Sequence, residues 1–222
     1  MRTHDIAKTE KREMYVKSIL ALELSAPPVT ISKIADYLGV SPPAAWEMLK
    51  RLEQLGLAQA NGEGITLTRE GKQMATQVLR RLRLAERLLT DVLGMPLDKV
   101  YKEACKLEHA IGPAVEDRLA RVLGDPKICP HGYPIPDGEG RLAPFPPQTL
   151  CSIAPGDEVV VSCVPEEDEE LLGYLLRLGL VPGARVFVEE VTPFNGPLIL
   201  RVGSARHAIG RDIAARIRVQ EG

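Results

Sequence analysis

Apolar side chains recur at helical spacing through most of the first 124 residues, and the spacing then changes to alternation. The stretch TEKREMYVKSILALEL carries Met14, Val16, Ile19, Leu20, Leu22 and Leu24 among charges, which predicts an amphipathic helix over 9–24 that SAPPV breaks. A short helix is expected in TISKIADYLGV, opened by Thr30 or Ser32 and stopped at Gly39. The next, in SPPAAWEMLKRLEQLGL, has Ser41 as its cap, Pro42 at its first position and Gly56 as its stop. Two helices around a tight turn make a helix-turn-helix, and LAQANGEGITLT reads as two short strands around NGEG. Together these predict a winged helix. Three further helices are expected: TREGKQMATQVLRRLRLAERLLTDVLG, PLDKVYKEACKLEHAI and GPAVEDRLARVLG. Their surplus apolar faces suit burial against a second copy of the chain.

Residues 125–149, DPKICPHGYPIPDGEGRLAPFPPQT, are rich in Pro and Gly and read as a linker. Beyond them EVVVSCV, ARVFVEEV, PLILRVG and ARIRVQ are short β-like runs, with EEDEELLGYLLRLGL between the first two as an acidic run leading into a helix. Such runs predict a small β-barrel. The expected plan is thus mostly α with a small all-β C-terminal domain. A winged helix-turn-helix spans 1–73, a helical dimerisation domain 74–128, a linker 129–148 and the β domain 149–222.

Composition narrows the class. At 45% hydrophobic and 26% charged residues the chain is that of a globular protein, with no apolar run long enough to span a bilayer. MRTHDIAKTEKREMY lacks the apolar core of a signal peptide, so a cytoplasmic protein is expected. Four unevenly spaced cysteines do not make a disulfide framework. With a net charge of −2, any DNA-binding surface must be a local patch. No nucleotide loop, G-x-S-x-G or H-E-x-x-H occurs, which favours a binding protein over an enzyme.

The chemistry concentrates in KEACKLEHAIG. Cys105, Glu108 and His109 fall at i, i+3 and i+4, within an arc of roughly 100° on a helix. Taken alone they are either metal donors or ordinary helix residues. A thiol, a carboxylate and an imidazole suit Fe(II), Co(II), Ni(II) or Zn(II) better than magnesium or calcium. A fourth donor is needed, and the Met14 thioether in KREMYVK is a candidate.

TEKREMY, RLAERLLTDVLG and KVYKEACKLEH, in this order, resemble the diphtheria toxin repressor family of metal-dependent transcription repressors. The last segment resembles the SH3-like, FeoA-type domain of many members. The resemblance implies a primary metal site of Met14, Cys105, Glu108 and His109. The sulfur positions imply Fe(II) over Mn(II), because manganese-type members place carboxylates there. A manganese-responsive or other divalent-metal regulator is the alternative. The resemblance also implies an ancillary site, of which Glu86 is present as a remnant. Leu82 and Tyr101 stand where the family has histidines, so that site is expected to be absent or rebuilt. Asp168 or Glu170 could contribute, although a solvated acidic face is the preferred reading of that run. The implied partners are a second copy of the chain and double-stranded DNA with twofold-related half-sites; no membrane partner is expected.

In a helix-turn-helix the second helix enters the major groove. Its first residues here are Ser41, Pro43, Ala44, Trp46 and Glu47, with Lys33, Lys50 and Arg51 as phosphate contacts. Trp46 is equally well read as partly packed against the scaffold. The wing NGEG carries no cation. A thiol redox sensor acting through Cys105 ranks low, since no C-x-x-C partner exists. Cys129 and His131, in CPHGYPIP, are read as loop structure in preference to a metal site, and three roles stay open for the C-terminal domain: binding a peptide or Pro-rich ligand, folding back on its own PFPPQ linker, or supporting the metal region.

Overall fold

The computed structural model describes residues 3–222, with side chains from Thr9 onward. The chain divides into two compact units: one runs up to Arg81 and includes Pro136–Leu142, and the other comprises Leu82–Ile135 and Ala143–Gly222.

The first unit begins with α1 (Thr3–Ser25), whose Tyr15, Val16 and Ile19 are buried. It is followed by α2 (Ile31–Leu38) and α3 (Pro42–Gln54). Thr30 caps α2 by accepting the Lys33 backbone N–H, and Ser41 caps α3 by accepting that of Ala44. Ala45, Met48, Leu49 and Leu52 form the buried face of α3. The wing is an antiparallel pair, β1 (Ala58–Asn61) and β2 (Gly64–Leu67), turning at the expected NGEG. Glu53 ties α3 to this wing: one carboxylate oxygen accepts the Ala60 N–H at 3.2 Å and the other accepts Lys50 at 2.8 Å. Thr68 then caps α4 (Arg69–Arg87), its hydroxyl accepting the Gly71 N–H at 3.1 Å.

In the second unit the end of α4 relaxes into a π-helical turn, Leu88–Val92. α5 (Leu97–Leu107) and α6 (Pro113–Val122) follow. A small core of Leu84, Ala120, Cys129 and Ile135 joins α4 and α6 to part of the expected linker. That stretch is therefore packed, with Cys129, His131 and Ile135 all buried. The β domain comprises β3 (Glu158–Cys163), α7 (Glu169–Arg177), β4 (Arg185–Val191), β5 (Leu198–Val202), β6 (Ala205–Ile209), the short α8 (Arg211–Ala214) and β7 (Arg218–Glu221). Its sheet is antiparallel in the order β6-β5-β4-β3-β7, around a core of Val159, Val161, Leu172, Leu175, Val186, Val188, Leu198 and Leu200. β6 was not anticipated: ARHAI is mostly exposed and lacks the alternation that marks a half-buried strand.

The proline-rich segment folds back on this domain. The Val219 N–H donates to Gln148 O at 3.1 Å, the Leu150 N–H to Ile217 O at 2.9 Å, and the Arg218 guanidinium to Pro146 O at 2.9 Å. It covers β7, which would otherwise be an open sheet edge.

Candidate metal centre

Four side chains from three separate segments converge in the second unit. Glu86 is on the last turn of α4, Cys129 and His131 are in the loop after α6, and Glu166 follows β3. Their donor atoms all lie within 4.8 Å of one another. A tetrahedral ion with bonds of about 2.0–2.3 Å places its donors roughly 3.3–3.8 Å apart, so a small contraction suffices to close on a cation.

Local structure explains the convergence. The Cys129 N–H donates to Tyr133 O at 2.8 Å and the Gly132 N–H to Cys129 O at 3.0 Å, closing a tight turn. That turn docks on the end of β3: the Val164 N–H donates to His131 O at 3.0 Å, and the Cys163 thiol to Gly132 O at 3.2 Å. Gly132 has φ +94°, and a Cβ there would lie 1.8 Å from Ser162 O. Only glycine permits this approach. Docking on β3 brings His131 beside Glu166, while Glu86 comes from the buried face that Leu82 and Leu89 also line.

The donors are buried, and most are left unsatisfied. Neither Glu86 oxygen, nor Glu166 Oε2, nor His131 Nδ1 has a hydrogen bond of acceptable geometry. His131 Nδ1 lies 3.4 Å from Glu86 Oε1, a charge contact rather than a well-formed bond. Buried carboxylates without donors are costly, and a proton or a cation relieves that cost. The imidazole is also oriented for ligation. His131 Nε2 is 3.2 Å from Leu97 O, an acceptor only, so Nε2 carries a proton, and once Nδ1 is deprotonated its lone pair faces the cluster.

Proton affinities report the same crowding of negative charge. Burial, then the charge of Glu86, pushes the Glu166 carboxyl up to about 7. Burial, Glu86 and Glu166 hold the Cys129 thiol well above its ordinary range. Burial alone would lower His131, but Glu86 and Glu166 outweigh it and the net shift is upward. A divalent ion would displace these protons, leaving a thiolate, two carboxylates and a neutral imidazole as donors.

Composition alone favours a loop role for Cys129 and His131 and a solvated face for the acidic run. The structure puts both residues, and Glu166 of that run, in the buried cluster. Asp168 instead caps α7, accepting the Leu171 N–H at 3.1 Å and Arg216 at 3.0 Å, and Glu170 is exposed. Leu82 is core and Tyr101 half-buried. A signal was available in RLAERLL, where Glu86 interrupts an otherwise apolar face.

The expected primary donors fall as follows. Cys105 is half-buried on α5, Glu108 is the buried C-cap residue of that helix, and His109 lies in the turn after it. The backbone stays helical at Glu108 (φ −54°, ψ −35°), and Glu108 Oε1 lies 3.3 Å from His109 Nε2. Met14 is half-buried on α1 of the first unit. On α3 the residues Ser41, Pro43, Trp46, Glu47, Lys50 and Arg51 are exposed, and Ala44 is half-buried. Trp46 is 54% exposed. Lys33 donates to Ala26 O at 2.7 Å and Pro28 O at 2.8 Å, leaving one ammonium N–H for a phosphate.

Comparison with known proteins covers nearly the whole chain. Residues 8–64 match the iron dependent repressor N-terminal DNA binding domain, 68–137 the iron dependent repressor metal binding and dimerisation domain, and 148–221 the FeoA domain. The iron-dependent repressor IdeR of Mycobacterium tuberculosis is 35% identical over 222 residues, covering 94% of this chain and 96% of that protein. A manganese-dependent transcriptional repressor in complex with manganese superposes with a TM-score of 0.88 at 31% identity, covering 95% of this chain and 100% of that one. The T. acidophilum IdeR structure gives 0.81 at 30% identity, covering 95% and 97%.

Proposed function

Since the chain belongs to the iron-dependent repressor family, we propose that it is a cytoplasmic, homodimeric transcription repressor whose DNA binding is switched on by a divalent metal, and that each chain holds two ions. The carrying observation is the cluster of Glu86, Cys129, His131 and Glu166, in which both Glu86 oxygens, Glu166 Oε2 and His131 Nδ1 are buried without a hydrogen bond. We assign it as the ancillary site rebuilt without histidines at Leu82 and Tyr101. The second set is Met14, Cys105, Glu108 and His109. The two sulfur donors in that set favour Fe(II) as the physiological ion; Mn(II) is the alternative, supported by the likeness to manganese-dependent repressors.

A bound ion supplies positive charge and directional bonds; the rest is the work of the chain. Glu86, Cys129 and Glu166 provide anionic donors. His131 is aimed by the Leu97 carbonyl, which ties the cluster to the start of α5, the helix that carries Cys105. Met14 stands in the DNA-binding segment, and Cys105, Glu108 and His109 in the dimerisation segment. Shared ligation by both segments would set the separation of the two α3 helices in a twofold dimer against paired half-sites. Operator DNA must then tighten metal binding by the same factor.

The test combines stoichiometry with selection. Titration with Fe(II), Co(II), Mn(II) and Zn(II) is expected to saturate at two ions per chain. Selection from a randomised duplex library is expected to enrich twofold-symmetric sites only when metal is present. Equal enrichment without metal would overturn the switch, and saturation at one ion would remove one of the two sites.

A further inference from the structure

The exposed stripe of α3 carries an unusual pair for a surface that meets DNA. Pro43, Trp46, Glu47 and Lys50 follow one another at i+3 and i+4 spacing and are all exposed, opposite the buried face of the helix. The pair is an indole beside a carboxylate. Trp46 is held ready: the Lys50 ammonium lies 5.6 Å from its ring centroid, and Lys50 is itself anchored to Glu53 at 2.8 Å. Glu53 is bonded in turn to the wing through Ala60. Glu47 belongs to no such chain, and its carboxylate is unengaged among the described residues.

A carboxylate facing DNA is repelled by phosphates, so it is tolerated where a base offers it a donor. In the major groove only cytosine N4 and adenine N6 donate. Adenine sets its acceptor N7 beside that donor, where a second carboxylate oxygen is repelled. Cytosine has only a C5–H beside N4. Guanine presents two acceptors, and thymine an acceptor and a methyl group. Trp46 adds an apolar surface one residue away, matched to a thymine 5-methyl. We infer that α3 reads a cytosine through Glu47 in each half-site, with the methyl group of a nearby thymine covered by Trp46. The inference rests on the DNA-binding reading above and goes on to say what that surface selects.

The experiment uses the full-length, Co(II)-loaded protein and a randomised duplex library. Wild type is expected to enrich one cytosine per half-site. Glu47→Gln should still bind but change that position to adenine, because an amide pairs with N6 and N7 together. On fixed duplexes the wild-type preference for cytosine over guanine should be about tenfold or more per half-site, and Glu47→Ala should abolish it. Replacing the neighbouring thymine by deoxyuridine should weaken wild type several-fold and leave Trp46→Ala unmoved. Enrichment of the same base by wild type and Glu47→Gln would overturn the cytosine contact. Equal deoxyuridine sensitivity in wild type and Trp46→Ala would overturn the methyl contact. If the wild-type protein enriches no site at all, it is the DNA-binding reading that fails.

Discussion

The two donor sets proposed for this protein are built in opposite ways. Cys105, Glu108 and His109 fall within five consecutive positions, on one helix end. Glu86, Cys129, His131 and Glu166 come from three segments that only the packing of α4, the Gly132 turn and β3 brings together. The first set is conspicuous in the sequence, because helical periodicity alone predicts its common face. The second is scattered in sequence and compact in space, and its unsatisfied atoms give it physical urgency. Spacing shows where donors can point; burial without partners shows where a cation is wanted.

The comparison is broken most severely at Gly132. A Gly132→Val substitution would collide with Ser162 O and force left-handed backbone on a β-branched residue. It should cost about 2 kcal/mol or more and abolish the cluster's ion while sparing the other, read by thermal melting and Co(II) titration. Removing single donors is the next largest test. Cys129→Ser and Cys105→Ser should each lower stoichiometry from two ions to one, and each should remove part of the cobalt–thiolate absorption. Should both substitutions take away the same component, the two sets form a single site.

Acidity sharpens the contrast more gently. Glu166 is raised to about 7 and His131 is raised as well, so the folded metal-free protein binds more protons than the unfolded chain near neutrality. Its stability from Glu166 is full below about pH 4.5, the ordinary value for that carboxyl, and is lost progressively as pH rises to about 7. Metal must displace those protons, so the stabilisation by added Co(II) should grow over the same range. Opposite pH slopes of Tm with and without metal are expected, and parallel slopes would count against ligation by this cluster. The smallest effect should come from Glu169→Gln. Glu169 is paired with Lys99 and Lys102 on exposed parts of α5 and is held at about 2 chiefly by those bonds. Its loss should leave Tm and stoichiometry nearly unchanged.

Much of the fold was legible because local rules and packing agree. The Thr30, Ser41 and Thr68 caps, the NGEG turn and the run of helices all follow from residue type and period. β6 escaped because a mostly exposed strand has no alternation to detect. The cluster escaped for a different reason: Cys129 and His131 sit in a turn whose composition reads as a linker, and nothing local announces that β3 lies against it. Glu166 was hidden in an acidic run whose other members do face solvent or cap a helix. Only Glu86, charged on an apolar face, broke a local rule visibly.

Glu166 lies beyond the proline-rich stretch, inside the segment matched to the FeoA domain. If the cluster holds an ion as proposed, the C-terminal domain would be its joint owner rather than cargo at the end of a regulator. A gene shortened to its DNA-binding and dimerisation portions would inherit three donors out of four. Its descendants could keep such a cluster only by finding an oxygen or sulfur elsewhere, or by leaving that corner of coordination to water.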